Sequence, residues 1–405
     1  MGSDRSGSLG SLRQNNRDRV VATLREFGVA SQAQLARQTG LSRTTVSSLV
    51  GELKRTGTIM DFQGTRGSTR GHGAGRPPRL LTLDRSAGAA VGIDFGKRHL
   101  AVAVCDLSHT VLAESRREIA DDYPADSGMD AATELVGHTL AEAGIERERV
   151  LGVGLGLPGP IHRSTGTIGS SAILPGWVGV RVAGEMGRRL GLPVHIDNDA
   201  NLGALAELKW GAGQGYAALV YLKLSTGIGA GLVVDGGLFH GVGGTAGEIG
   251  HTTIDEAGPI CRCGSRGCLE TLAAAPAIVE LLRSSLGEEL TIEAIVERAA
   301  NGDPGCRRAI GDAGRHIGSA VANLCNLLNP ERIVVGGSLG AAGDVLFEPL
   351  REAVQLRAIP TAAEDVEIVA GVLGERAEML GAVALVLEDA ERVFDAPALA
   401  TAGET

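Results

Sequence analysis

The chain has 405 residues, more than one hydrophobic core organises, so a division into about two to four units is expected. Hydrophobic residues at 43% and charged residues at 21% exclude a mostly disordered protein. The longest clear apolar run, Met379 to Leu387, has nine residues and is too short to span a membrane. The net charge of −10 hides a split: residues 1–85 hold 14 bases and 6 acids, a formal +8, while the remainder stands at −18. An acidic body repels a polyanion, so any nucleic-acid contact must fall on the basic first 85 residues.

Residues 1–16 read as a polar tail without a signal-peptide core, and 17–85 as a small domain. Arg17 to Phe27 places Val20, Val21, Leu24 and Phe27 at helical spacing. Ser31 is placed to cap a helix over 32–39, with Leu35 inward. After the Gly40-Leu41 turn, Ser42 caps a second helix from Arg43 to about Thr56, burying Val46, Leu49, Val50 and Leu53. Helix, tight turn, helix is the helix-turn-helix arrangement. The second helix presents Ser42, Arg43, Thr44, Thr45 and Ser47 at its start, short donors and one arginine suited to base edges and phosphates. An ordinary helical hairpin is the competing reading. Two short strands, 58–62 and 79–83, bracket a glycine- and arginine-rich loop, 64–78, which turns the motif into a winged helix-turn-helix. Arg76, in Gly75-Arg76-Pro77, is extended enough to enter a minor groove; a stiff linker is its plainer reading.

From Ala89 the pattern becomes α/β. Strands are expected over 89–94, 100–106 and 111–119, a helix over 129–143, and strands over 150–155 and 193–196 before a helix over 198–208. A hairpin, 217–224 and 228–234, then restarts the layout, with a long helix over 304–328, a strand over 332–335 and a helix over 341–355. The architecture that fits is an actin-like (ribonuclease H-like) sugar-kinase fold of two βββαβα-like lobes, 89–213 and 214–376. A helix over 377–392 would return to the first lobe, and 393–405 would be a flexible tail. Three of the six cysteines, Cys261, Cys263 and Cys268, fall within eight residues, a spacing that reads as metal binding in a reducing compartment, the cytoplasm. Free buried thiols are the alternative. Cys105, Cys306 and Cys325 read as core filler.

Six motifs now stand in one order: Gly92-Ile-Asp94-Phe-Gly96; Gly156-Leu-Pro158-Gly159; Asp197-Asn198-Asp199-Ala-Asn201; Leu224-Ser-Thr226-Gly227-Ile-Gly229; Glu248-Ile-Gly250-His251; and Cys261-Arg-Cys263-Gly264-Ser-Arg-Gly267-Cys268-Leu-Glu270. In that order they resemble the ROK family of repressors and sugar kinases, and with the winged head the chain resembles its sugar-responsive repressors. The resemblance covers about residues 89–388. It implies His251 as a fourth ligand beside the three thiolates, giving a closed structural zinc site with no position for water. It also implies a sugar site lined by Gly159, Asn198, Asp199, Glu248, His251 and Glu270, whose carboxylates and amides suit vicinal hydroxyls. Read alone, Asp197-Asn198-Asp199 is equally a helix N-cap and Glu270 a solvated charge.

In the family's kinases the residue matching Asp199 is the general base, so Asp199 is the catalytic candidate if the chain phosphorylates. The matching nucleotide residues are Asp94, Gly96, Thr226, Gly227 and Gly336. The first phosphate turn runs Asp94-Phe-Gly96-Lys97-Arg98, with two long cations where the kinases have glycine and threonine, and this side is read as vestigial. Neither ATP nor Mg2+ is expected as a cofactor. The resulting expectation is a sugar-responsive DNA-binding regulator, most often a repressor in this family, acting as a homodimer or homotetramer on an inverted-repeat operator. The rivals are a working sugar kinase with a DNA-binding appendage, and a regulator that docks a protein instead of a sugar.

Overall fold

A computed structural model describes residues 13–395 with breaks, the longest at 63–78. The head is built around one small core. Helix α1 is described over 19–24 and turns Val20, Val21 and Leu24 inward. Phe27, expected on the same face, is 50% exposed and lies outside that core, beside the left-handed Gly28. Strand β1 (Ala30–Ser31) leads into α2 (Gln32–Thr39). There the Ser31 side chain accepts the Gln34 amide and the Gln34 side chain accepts the Ser31 amide, a reciprocal cap. Gly40, at φ 67°, makes the turn to α3 (Arg43–Arg55), which buries Val46, Leu49, Val50 and Leu53 as its spacing requires. Strands β2 (Ile59–Asp61) and β3 (Leu80–Leu83) pair antiparallel, and β1 adds to the far side of β3. That is a winged helix-turn-helix. The loop that joins the wing strands, with Arg76, lies outside the described residues, as does most of the expected N-terminal tail.

The body repeats one topology. In the first lobe β4 (Ala89–Phe95), β5 (His99–Asp106) and β6 (Val111–Glu118) form an antiparallel run. After α4 (Ala125–Ala143), β7 (Val150–Leu157) pairs parallel to β4. The small hairpin β8 (Ile161–His162) and β9 (Thr167–Ile168), then α5 (Val182–Leu190), lead to β10 (Val194–Asn198), parallel to β7. Helix α6 (Asp199–Trp210) crosses to the second lobe. There β11 (Leu219–Leu224), β12 (Ile228–Val234) and β13 (Gly237–Leu238) are the antiparallel run. Three helices follow, α7 (Leu269–Ala273), α8 (Ala275–Leu286) and α9 (Ile292–Ala300), and then the long α10 (Pro304–Leu328). The parallel strands are β14 (Arg332–Gly336) and β15 (Glu367–Ala370), with α11 (Asp344–Arg357) and α12 (Pro360–Asp365) between them. The sheets order as β10-β7-β4-β5-β6 and β13-β12-β11-β14-β15, so each lobe uses its first strand as the centre.

Between the sheets lie α6 and the final helix α13 (Ala377–Asp395), which runs past the expected end at 392. The helices sit this close because glycines leave room for backbone. A Cβ at Gly154 of β7 would collide with the Ala382 carbonyl of α13, and one at Gly381 of α13 with the Leu202 carbonyl of α6. On the other side, a Cβ at Gly231 of β12 would strike the Ala200 carbonyl. Helix α13 is therefore seated on the first-lobe sheet, α6 on the second, and the two helices on each other. The interlobe cleft opens at the start of α6. Cys105, Cys306 and Cys325 are buried in the lobes, as expected of core filler. Among the described residues no helix is long and apolar enough to cross a membrane.

Candidate functional site

A cleft of about 430 Å³ lies between the lobes. Every residue expected in the sugar site lines it: Gly159, Asn198, Asp199, Glu248, His251 and Glu270. Asn198 closes β10 and caps α6, its Oδ1 accepting the Ala200 amide at 2.9 Å, while its Nδ2 donates to the Gly159 carbonyl at 3.0 Å. Capping and lining are thus one job, because the cap fixes the side chain at the cleft's edge. Gly159 holds φ 100°, a backbone conformation open to glycine. Next door, Asp197 accepts from the Asn198 amide at 2.7 Å and from Asn201 Nδ2 at 2.8 Å, and pairs with His240 Nε2 at 2.7 Å. Burial pushes the Glu248 carboxyl up to about 7, with the nearby Asp199 and Glu270 charges adding to the shift.

Beside this floor, His251, Cys261, Cys263 and Cys268 converge. One ligand atom from each lies within 4.8 Å of all the others. Cys263 Sγ and Cys268 Sγ are 3.7 Å apart, and Cys261 Sγ is 3.5 Å from His251 Nδ1. An ion with bonds of about 2.0–2.3 Å to N and S in a tetrahedron separates its donors by about 3.5–3.8 Å, so the set fits a metal of zinc's size. The cysteine loop is turned by Gly264 (φ 89°), with the Cys261 amide bonded to the Ser265 carbonyl at 2.8 Å. His251 turns its other nitrogen toward Glu248, at 3.9 Å from Oε2, so the metal cluster and the cleft share one side chain.

The nucleotide-side candidates divide. Thr226 and Gly227 line the same cleft. Asp94, Gly96 and Gly336 are not among its lining residues. Asp94 is buried, which alone would raise its carboxyl, but its Oδ2 pairs with His99 Nε2 at 2.7 Å, and that bond together with the Lys223 and Arg116 charges holds it below the usual range. The His99 ring packs against Gly96 where a side chain would start, and the Tyr123 hydroxyl donates to the Gly96 carbonyl at 3.1 Å. At Gly96 the first phosphate turn is therefore packed by the protein's own side chains, while Arg98 beside it stays exposed.

Two cations in the cleft escaped the sequence reading. Lys223 Nζ lies 2.9 Å from Asp199 Oδ2 and 3.4 Å from Glu378 Oε1. Arg262 Nη2 lies 2.5 Å from Glu270 Oε2. A signal existed for each: Lys223 is the one charge in the strand Leu219–Leu224, and Arg262 stands between the first two cysteines.

In the head, Arg43, Thr44 and Ser47 are exposed at the start of α3, and Arg43 makes no ion pair among the described residues. Ser42 spends its hydroxyl as a cap, accepting the Thr45 amide at 3.1 Å and lying 2.8 Å from the half-buried Thr45 hydroxyl. Ser48, which the sequence reading passed over, is exposed on the same helix.

Comparison with known proteins agrees with this geometry. Residues 90–389 match the model of the ROK family, and residues 18–60 match a winged helix-turn-helix DNA-binding model. The xylose repressor of Caldicellulosiruptor bescii is 30% identical over 391 residues, covering 93% of this chain and 96% of that protein. A glucokinase of Thermotoga maritima is 34% identical over 315 residues, covering 97% of itself but 74% of this chain. A crystal structure of a ROK family transcriptional regulator, a homologue of the Escherichia coli Mlc protein, superposes with a TM-score of 0.76 at 26% identity. It covers 95% of this chain and 98% of that one. Kinase relatives thus match the body, whereas regulators match head and body together, and the chain belongs to the ROK family.

Proposed function

We propose that the protein is a sugar-responsive DNA-binding transcriptional regulator, a repressor by its likeness to the full-length relatives. One observation carries this reading: a winged helix-turn-helix with exposed donors at Arg43, Thr44 and Ser47 is joined to a cleft where acceptors converge. The cleft residues assigned to the sugar are Gly159, Asn198, Asp199, Glu248, His251 and Glu270. Arg43, Thr44 and Ser47 on α3, with Arg76 in the wing loop, are assigned to DNA, and Ser42 and Thr45 to holding the helix start. His251, Cys261, Cys263 and Cys268 would hold a zinc ion. Three thiolates and one imidazole leave no position for water, so the ion would brace the cysteine loop under the cleft and take no part in chemistry.

A sugar loosens the operator complex only by binding more tightly to the DNA-incompetent arrangement. A two-fold dimer on an inverted repeat is the assembly that fits such a head. The protein's place is the cytoplasm, where thiolates stay reduced. The kinase reading keeps the retained Asp199 and the Thr226-Gly227 turn in the same cleft as its support. Against it stand the His99 ring on the Gly96 turn and the Lys223 ammonium on the would-be base.

The test is operator binding by fluorescence anisotropy, with and without a panel of free sugars and sugar phosphates. A sugar that weakens the complex, with no ADP formed from ATP and that sugar, is the expected result. Steady phosphorylation, or an operator affinity indifferent to every sugar tested, would overturn the reading.

A further inference from the structure

The cleft holds a partly buried cation that the proposed function assigns neither to sugar nor to DNA. Lys223 stands on β11, at the centre of the second-lobe sheet. Its ammonium is shared between two carboxylates with different attachments. Asp199, at 2.9 Å, begins α6 and faces the cleft. Glu378, at 3.4 Å, lies in the first turn of α13 and is buried. Tyr221, two residues earlier on the same side of β11, donates its hydroxyl to Glu378 Oε1 at 3.2 Å. Helix α13 in turn rests its backbone on the first-lobe strands β4 and β7, at Gly92 and Gly154. One ammonium therefore touches the pocket, the second-lobe sheet and the helix that carries the first lobe.

We propose that Lys223 is a positioning residue that couples occupancy of the sugar pocket to the relative placement of the lobes, by dividing its charge between Asp199 and Glu378. This rests on the sugar-response reading of the same cleft. With the pocket empty, Asp199 takes a large share of the ammonium. A sugar hydroxyl donating to Asp199 satisfies part of that carboxylate, and the share held by Glu378 rises. Glu378 is buried, and beside it the Coulomb interaction is stronger than in bulk water, so a small change in sharing carries weight. Burial disfavours the charged lysine, but the two carboxylates outweigh it and keep the ammonium protonated, above its ordinary range. Asp94 is the remaining acid that acts on it, and its own partner is His99. A purely structural pair would behave otherwise, since a buried ion pair replaced by neutral groups of similar volume often leaves stability unchanged or raised, and the response would survive.

The experiment uses the full chain with Glu378→Gln, and with Lys223→Met plus Glu378→Gln, which removes the cation and its inner partner together. Three quantities are read: sugar affinity by calorimetry, the ratio of operator affinities without and with sugar, and amide exchange at 199–203 in the sugar-free protein. The probe is whichever of xylose, glucose and N-acetylglucosamine loosens the wild-type complex most. Glu378→Gln, which leaves every cleft-lining residue in place, should keep sugar affinity within about threefold while its operator ratio falls at least about fivefold, the lower end of a typical coupling, and the double variant should lose the response at least as fully. Glu378→Gln should change exchange at 199–203 although it lies on another helix. An unchanged ratio, or loss of sugar binding in proportion to loss of response, would overturn the coupling. If no sugar moves the wild-type complex, the functional reading fails by itself. The exchange measurement then decides the coupling alone, and unchanged protection at 199–203 would sink it.

Discussion

The head and the body solve recognition in opposite ways. In the head, Arg43, Thr44 and Ser47, three of the groups assigned to DNA, sit exposed on one helix, in a segment of formal charge +8. In the body, the groups assigned to sugar come from a loop at Gly159, a helix cap at 198–199, a short turn at 248–251 and the cysteine loop at 261–270. The first surface depends on charge and local helix geometry and is screened by salt. The second depends on two sheets, two central helices and the convergence of His251 with Cys261, Cys263 and Cys268. The two functions are therefore separable by mutation, and each perturbation below should move one and spare the other.

The largest effect is expected from removing the metal. A chelator should lower the melting temperature and abolish the sugar response, since structural zinc is worth about 10 kcal/mol or more in the smallest domains and some fraction of that here. Labelling with a maleimide supplies the check. Cys263, the exposed thiol of the cluster, should become reactive, whereas Cys105 and Cys325 should stay inert, because burial pushes their thiols up to about 12 and about 11. A protein that purifies without metal and still responds to sugar would remove the cluster from the argument.

Next comes Asp199→Asn. An acceptor with full charge is exchanged for one without, at a cost to sugar binding of about 1.5–3 kcal/mol, or about tenfold to a hundredfold. Operator binding should persist, at a level no weaker than that of the wild-type protein with sugar, because Asp199 lies in the interlobe cleft and reaches the head only through the Lys223 coupling. Calorimetry and anisotropy on one preparation decide it, and a normal sugar affinity would take Asp199 out of the pocket.

The contrast between the regions also explains what could be read from the chain. The head was legible down to single side chains: Ser31 and Gly40 bound α2, and the four apolar residues of α3 are all buried. Such signals are local, a cap or a period of 3.6 residues. Phe27 misled because periodicity does not say where a core ends. In the body the strands and the cysteine cluster were legible from runs and spacing. The pairings across the cleft were not. Lys223 meets Glu378 from 155 positions away, and His99 covers Gly96 because β5 turns back on β4. Asp94 matches a phosphate-turn residue by its motif, and its pairing with His99 was not legible there. Only tertiary structure brings such partners together.

On the DNA side, Arg43→Ala should weaken operator binding by about 1–3 kcal/mol if the guanidinium reads a base edge. If it meets a phosphate, the loss should be smaller and equal for all sequences, with the salt slope reduced by about one. Either result leaves sugar affinity as it was. No change in affinity or slope would remove Arg43 from the interface.

The smallest effect tests whether the head is an independent unit of stability. Ser31→Ala deletes the cap of α2 and one half of its reciprocal bond with Gln34, which should cost about 1 kcal/mol. The α2 amides lose their acceptor, while the apolar core behind Leu35 stays intact. Hydrogen exchange should therefore quicken over 32–39 and across the rest of the head core, with protection in β4 and β7 unchanged. That pattern would show that DNA affinity can be tuned through the head without touching the effector cleft. Exchange rising equally in both regions would mean that head and body unfold as one, and the separation argued above would have to be given up.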